Sequence, residues 1–240
     1  GYIAIADQVK QALIDVIGPI DHKIEVISNG VDVSRYGAQA LDANSMDKQS
    51  IRKELGLDAR ARLLILVGTF KEQKGHRYMI EAMSLLAPQN PDLHLLFAGD
   101  GELRADLEAQ VADATLDDRI HFLGSRHDVA DLLASSDIFV LPSLYEGLSI
   151  ALLEAMATGL PIVATKVSGT IQAIVPGEHG LLIPPGDTQA IVEAIGQLLC
   201  DPDRARALGE AAKQRALVEF DARRQADRHL ELYLRTVANQ

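Results

Sequence analysis

Between residues 62 and 186 the chain keeps repeating one unit, a short apolar run followed by a stretch with helical periodicity. The runs are RLLILVGTF (62–70), LHLLFAGDG (93–101), IHFLGS (120–125), DIFVLPS (137–143), PIVATKV (161–167) and GLLIPPG (180–186). They are near-continuous rather than alternating, the mark of strands covered on both faces. Helical patterns lie over HRYMIEAMSLLA (76–87), LRADLEAQVADA (103–114), VADLLASS (129–136) and TQAIVEAIGQLLC (188–200). In the first of these, Met79, Ile80, Met83 and Leu86 or Ala87 share one face. Strand–helix alternation with covered strands predicts a doubly wound parallel α/β sheet, Rossmann-like, of about six strands with helices on both faces. Ligands of such a fold bind beyond the carboxyl ends of its strands.

The flanks read differently. Residues 1–36 hold a short helix over IADQVKQALIDVI and an extended piece, KIEVISNGVD (23–32). Residues 37–61 are polar and predict a linker plus one helix. Residues 202–237 predict two Arg-rich helices broken near Phe220–Asp221. The 240 residues suit one large domain or two small ones. A formal net charge of −11 excludes wholesale binding of nucleic-acid phosphates, so an anionic ligand would need a local positive site. The single cysteine, Cys200, excludes an internal disulfide and fits a reducing compartment. No apolar run reaches the ~20 residues needed to cross a bilayer.

Two loops have the glycine and charge to hold a phosphate. GTFKEQKG (68–75) follows a strand and precedes a helix, with Lys71 and Lys74 as cations. It lacks the Gly-Lys-Ser/Thr triplet of a Walker A loop. AGDGELR (98–104) has Gly-x-Gly after a strand, but the third glycine of a dinucleotide fingerprint would fall on Arg104. A nicotinamide-dinucleotide site is thereby disfavoured. The seven histidines are scattered with no His-x-x-x-His pair, which predicts no metal site. No Gly-x-Ser-x-Gly elbow occurs.

The stretch SLYEGLSIALLEAMATGLP (143–161) carries Glu146 and Glu154 with seven residues between them. Ser143 and Glu146 have the spacing of a capping box. That would put Gly147 in the first turns of a helix, where glycine is unfavourable. Starting the helix at Ser149, a good N-cap, leaves Glu146 on a loop at a strand's carboxyl end. Ile150, Leu153, Ala157 and Leu160 are then expected near the core face, which flanks Glu154 with apolar side chains. A half-buried carboxylate needs hydrogen-bond donors. Sugar hydroxyls would serve, and solvated surface charge is the alternative.

Gly68…Lys74-Gly75, AGDGEL, HFLGS, FVLPSLYEGLSIALLEAMATGLPIVAT and GEHGLLIPPGD, taken in this order, resemble the C-terminal, donor-binding domain of retaining GT-B glycosyltransferases, in particular the large family-4 group. The Glu146/Glu154 pair matches that family's Glu-x7-Glu motif, and VISNGVD (26–32) resembles its hinge. The resemblance covers roughly residues 23–200. It implies that Lys74 binds the donor diphosphate and that Glu146 bonds the transferred sugar. The N–H groups around Gly147, Leu148 and Ser149 would hold sugar and phosphate, and Glu154 would accept from the ribose. The backbone near Ser125 and Arg126 would meet the base, with Gly68, Thr69 and Gly101 in the donor-binding loops. Lys74 and Glu146 would be the catalytic pair. No cofactor and no metal are implied; the donor would be a UDP-, GDP- or ADP-sugar. Two positions depart from the family: Thr69 stands where an Arg is frequent, with Lys71 as a possible replacement, and Gln172 where a Glu is frequent.

The same resemblance implies a missing N-terminal acceptor domain, with residues 1–22 as its tail. Residues 23–200 would bind the nucleotide sugar, and 201–240 would cross back to the absent half. The chain does not begin with Met, as expected of a fragment. An apolar face including Phe220, Leu230, Tyr233, Leu234 and Val237 would then be bared and could pair two copies. A cytoplasmic enzyme, or one peripheral to the inner face of the cytoplasmic membrane, is expected. A nucleotide-sugar epimerase, a phosphorylase or a non-catalytic nucleotide-sugar-binding module are the alternatives.

Overall fold

The computed structural model describes residues 1–36 and 50–238. Six strands form one sheet: β3 (Arg62–Val67), β4 (Leu93–Ala98), β5 (Ile120–Gly124), β6 (Ile138–Leu141), β7 (Ile162–Thr165) and β8 (Leu181–Ile183). The order is β5-β4-β3-β6-β7-β8 and every pairing is parallel. Two further strands, β1 (Tyr2–Ala4) and β2 (Ile24–Val26), pair in parallel as a separate two-stranded sheet joined by α1 (Asp7–Ile17). β2 ends at Val26, where the segment read as the hinge begins, and it pairs with the chain's first residues rather than with the main sheet.

The unbroken apolar runs are explained by helices on both faces. On β3, Leu63 and Ile65 enter one core cluster while Leu64 and Leu66 enter the other. The first cluster gathers α5 (Val129–Ser135), α6 (Ile150–Thr158) and the second half of α9 (Pro202–Glu219). The second gathers α3 (His76–Leu86), α4 (Arg104–Asp113), α8 (Thr188–Cys200) and the first half of α9. Period-2 alternation of direction along each strand thus buries both faces, as the pattern required. The short helix α2 (Ser50–Glu54) docks through Ile51 and Arg52. Arg52 donates to the Ser135 carbonyl at 2.7 Å and to Asp137 at 2.8 Å, tying α2 to the start of β6.

Helix boundaries follow local chemistry. Asp187 caps α8 by accepting from Ala190 N–H at 2.9 Å. Asp201 caps α9 in the same way, from Arg204 N–H at 3.0 Å, with Pro202 at the first helical position. The last helix, α10 (Ala222–Ala238), begins two residues after Phe220 and runs back along residues 1–36. Val31 N–H donates to the Phe220 carbonyl at 2.8 Å, and Ala222 N–H to the Val31 carbonyl at 2.9 Å. Farther along, Arg228 donates to the Val26 carbonyl and Arg235 pairs with Glu25.

Two expectations about packing are corrected. Phe220 is 3% exposed and belongs to the core, because the break between α9 and α10 folds it inward. Leu230, Tyr233, Leu234 and Val237 do form an exposed stripe on α10. Ile150, expected on the core face of α6, is exposed. It occupies the helix's first turn, beyond the carboxyl end of β6, while Leu152, Leu153, Ala155, Met156 and Ala157 fill the space between α5 and α9. One element was not expected at all: α7 (Ser168–Ala173), a helix of six residues that follows β7. Among the described residues, no helix is long and apolar enough to cross a membrane.

Candidate functional site

The strand order reverses direction between β3 and β6, which makes their carboxyl ends the place for a ligand crevice. The loop after β3 carries Gly68, Thr69 and Lys74; the loop after β6 carries Ser143 to Ser149. Gly75 fixes how closely they meet. Its φ is +70°, and a Cβ there would lie 2.2 Å from the Pro142 carbonyl oxygen. Only glycine allows both that backbone shape and that approach. Lys74 therefore comes down beside the β6 loop. Its methylenes cover Gly68, and its ammonium reaches Glu146 Oε2 at 2.5 Å. The two side chains are 15% and 12% exposed, so this is a largely buried ion pair. Ser143 Oγ donates to the same carboxylate oxygen at 3.2 Å.

Backbone contacts from three sides hold the Glu146 loop. Leu144 N–H donates to the Gln73 carbonyl at 2.8 Å, and the Gln73 amide to the Tyr145 carbonyl at 2.9 Å. The start of α7 supplies Gly169 N–H and Ser168 Oγ, both 3.0 Å from the Glu146 carbonyl. A Cβ on Gly169 would fall 1.8 Å from the Gly147 oxygen, so the two segments touch at backbone level. From the other side, the Asn29 amide donates to the Leu148 carbonyl at 2.9 Å. Helix α6 then starts with Ser149 as its N-cap residue, as the sequence predicts. The Ser149 hydroxyl makes no capping bond, so the first N–H groups of α6 remain available to an anion beside Lys74.

Glu154 lies in the next turn of α6. Tyr36 donates its hydroxyl to Glu154 Oε1 at 2.5 Å. Burial pushes the Glu154 carboxyl above its ordinary range, and the bond from Tyr36 pulls against that. The remaining expected residues stand at the same end of the sheet. Gly101 follows β4 and is pressed against the β3 loop: Phe70 N–H donates to the Asp100 carbonyl at 2.9 Å, and a Gly101 Cβ would lie 2.6 Å from the Phe70 carbonyl oxygen. Ser125 and Arg126 follow β5. The Arg126 guanidinium is held by Asp128 and Glu54, which raise its pKa further.

Lys71 does not join Lys74. It borders a different groove, between the β3 loop and α4, with Arg77, Asp106 and Asp113. His76 lies under the β3 loop at 2% exposure, edge-on to Phe70 and Phe97 with ring centroids 4.8 and 5.0 Å away. Burial, with Lys74 nearby, pushes its pKa down to about 4, so it packs as a neutral ring. Tyr36, Asn29, Ser143 and Ser168 are site neighbours that sequence reasoning did not assign. Of these, only Ser143 had a local signal, its spacing to Glu146.

Residues 47–215 match the model of the family described as glycosyl transferases group 1. The chain belongs to that family. It is 32% identical to the Escherichia coli UDP-Gal:alpha-D-GlcNAc-diphosphoundecaprenol alpha-1,3-galactosyltransferase over 91% of this chain and 56% of that protein. It is also 32% identical to the lipopolysaccharide core biosynthesis mannosyltransferase LpsB of Rhizobium meliloti, over 84% of this chain and 58% of that protein. Anabaena HepE in complex with UDP matches over 99% of this chain and 63% of that one, with a TM-score of 0.86 and 25% identity. The same Anabaena protein in complex with UDP-glucose matches with a TM-score of 0.87. The chain thus spans little more than half the length of these relatives. Its fold is the Rossmann-like half that GT-B glycosyltransferases share.

Proposed function

We propose that this chain is the nucleotide-sugar-binding part of a retaining, family-4 glycosyltransferase. The observation that carries the reading is the Lys74–Glu146 pair, set at the open N-terminus of α6 at the sheet's switch point, with Glu154 one turn deeper. Lys74 and the α6 N–H groups near Gly147, Leu148 and Ser149 take the donor diphosphate. They stabilise the negative charge that develops as the nucleoside diphosphate leaves. Glu146 accepts from hydroxyls of the transferred sugar, and Glu154 from the ribose. Backbone at Ser125 and Arg126 meets the base, while Gly68, Thr69 and Gly101 shape the loops around the phosphates.

In the free protein Lys74 and Glu146 satisfy each other. A nucleotide sugar replaces both halves of that pair at once, giving Lys74 a phosphate and Glu146 hydroxyl donors. The relatives named above include a galactosyltransferase and a mannosyltransferase, so the base is left open among UDP, GDP and ADP. Acceptor contacts come from a preceding domain in the parent enzyme. Residues 1–22 are its tail, 23–200 the donor domain, and 201–240 the return to it. The apolar stripe on α10 would meet that domain or, without it, a second copy.

Calorimetric titration of the chain with UDP, GDP and ADP tests the reading. One nucleotide should bind, and Lys74→Ala and Glu154→Ala should each weaken it about tenfold or more, as loss of a charge-assisted hydrogen bond implies. Unchanged affinity in both variants would refute the site.

A further inference from the structure

The Glu154 carboxylate is already engaged, and by a residue 118 positions away. The Tyr36 hydroxyl donates to Oε1 at 2.5 Å. Among the described residues no second side chain or backbone N–H bonds this carboxylate, so Oε2 has no protein partner there. Tyr36 is itself held in place. Its N–H closes a turn onto the Val33 carbonyl at 3.3 Å. Asp32 caps that turn, accepting from Ser34 N–H at 3.2 Å and Ser34 Oγ at 2.6 Å. The Tyr36 ring packs against the core cluster that contains α6. The phenol is therefore presented by the fold at the edge of the crevice.

The chemistry of the pair is directional. Burial and the neighbouring carboxylate push the phenol's pKa up, so it stays protonated and remains the donor. A phenolic oxygen that has given its proton to Glu154 still has lone pairs to accept with. Two acceptors consequently stand on either side of one hydrogen bond: Glu154 Oε2 and the Tyr36 oxygen. A carboxylate alone could take two adjacent hydroxyls with its own two oxygens. Here Oε1 already accepts from Tyr36, and the tyrosine oxygen stands beside the carboxylate as a further acceptor.

We propose that Tyr36 is a second ribose-recognition residue. One hydroxyl of the vicinal diol of a nucleoside diphosphate donates to Glu154 Oε2, and the other donates to the Tyr36 oxygen. This rests on the donor-site reading above and adds a residue to it.

The test is calorimetry on the chain, Tyr36→Phe and Glu154→Ala. The probes are whichever of UDP, GDP and ADP binds, and its 2′-deoxy and 3′-deoxy analogues. The parent chain should bind both analogues more weakly than the ribonucleotide. Tyr36→Phe should bind the ribonucleotide about three- to tenfold more weakly, the worth of one neutral hydrogen bond. It should also lose the penalty against one of the two deoxy analogues and keep the other. A general loosening of the fold would weaken all three nucleotides alike, so the ratio isolates recognition. If Tyr36→Phe keeps both penalties, Tyr36 does not read the ribose and the inference fails alone. If no nucleotide binds the parent chain, or Glu154→Ala binds at parental affinity with both penalties intact, the donor-site reading fails and the inference with it.

Discussion

Removing the ammonium of Lys74 should destabilise the fold, because the largely buried Glu146 has little water to take its place. The pair has N···O at 2.5 Å, with side chains 15% and 12% exposed. Breaking a fully buried pair by deleting one partner costs about 3–5 kcal/mol. Glu146 retains the bond from Ser143 and a little solvent contact, which reduces the expected cost to about 2–3 kcal/mol for Lys74→Met. Glu146→Gln should cost less, since an amide leaves the lysine a neutral acceptor. The double variant should cost less than the sum, with a coupling of about 1.5–3 kcal/mol. Urea unfolding followed by circular dichroism reads this directly. For a chain of this size the Lys74→Met midpoint should fall by about 1 M. Effects that add to within about 0.5 kcal/mol would mean that the two charges do not meet, and the proposed exchange with a donor would lose its structural basis.

Two further outcomes follow from the same loops. Gly75→Ala forces a Cβ to 2.2 Å from the Pro142 oxygen at a φ of +70°, so it should cost about 2–4 kcal/mol and abolish nucleotide binding; a parental urea midpoint would refute the close approach. His76 has a folded-state pKa near 4, below an unfolded value of about 6.5, so the unfolded chain binds more protons between those limits. Stability from this group is present above about pH 6.5 and is lost as pH falls toward about 4. From about pH 7 to about pH 5 the loss should be about 2 kcal/mol, and His76→Phe should remove that part of the slope in urea midpoints measured across pH.

Much of the fold could be read from local patterns. The apolar runs 62–67, 93–98, 120–124, 138–141, 162–165 and 181–183 are strands, and the helices between them, α7 apart, lie within a few residues of their predicted bounds. Helix α6 starts after Ser149 as expected from glycine at 147 being a poor helix residue, although the Ser149 hydroxyl makes no capping bond there. Helix α7 went unread because six residues are less than two turns, too short to show a period. Yet its first residues hold the Glu146 carbonyl. Ile150 and Phe220 were misplaced for a related reason. Burial at a helix end depends on what stands beyond it, and periodicity within the helix is silent on that.

By itself the sequence determined the layers: which segments are strands, that both sheet faces are covered, and that Glu146 sits on a loop while Glu154 sits on the helix after it. Those properties arise from neighbours a few residues apart. Tertiary structure decided the pairings, Lys74 with Glu146 across 72 residues and Tyr36 with Glu154 across 118. A hydrogen bond acts over about 3 Å, and only the folded backbone sets which distant groups come that close. Of the partners that hold the two glutamates, local spacing reveals only Ser143.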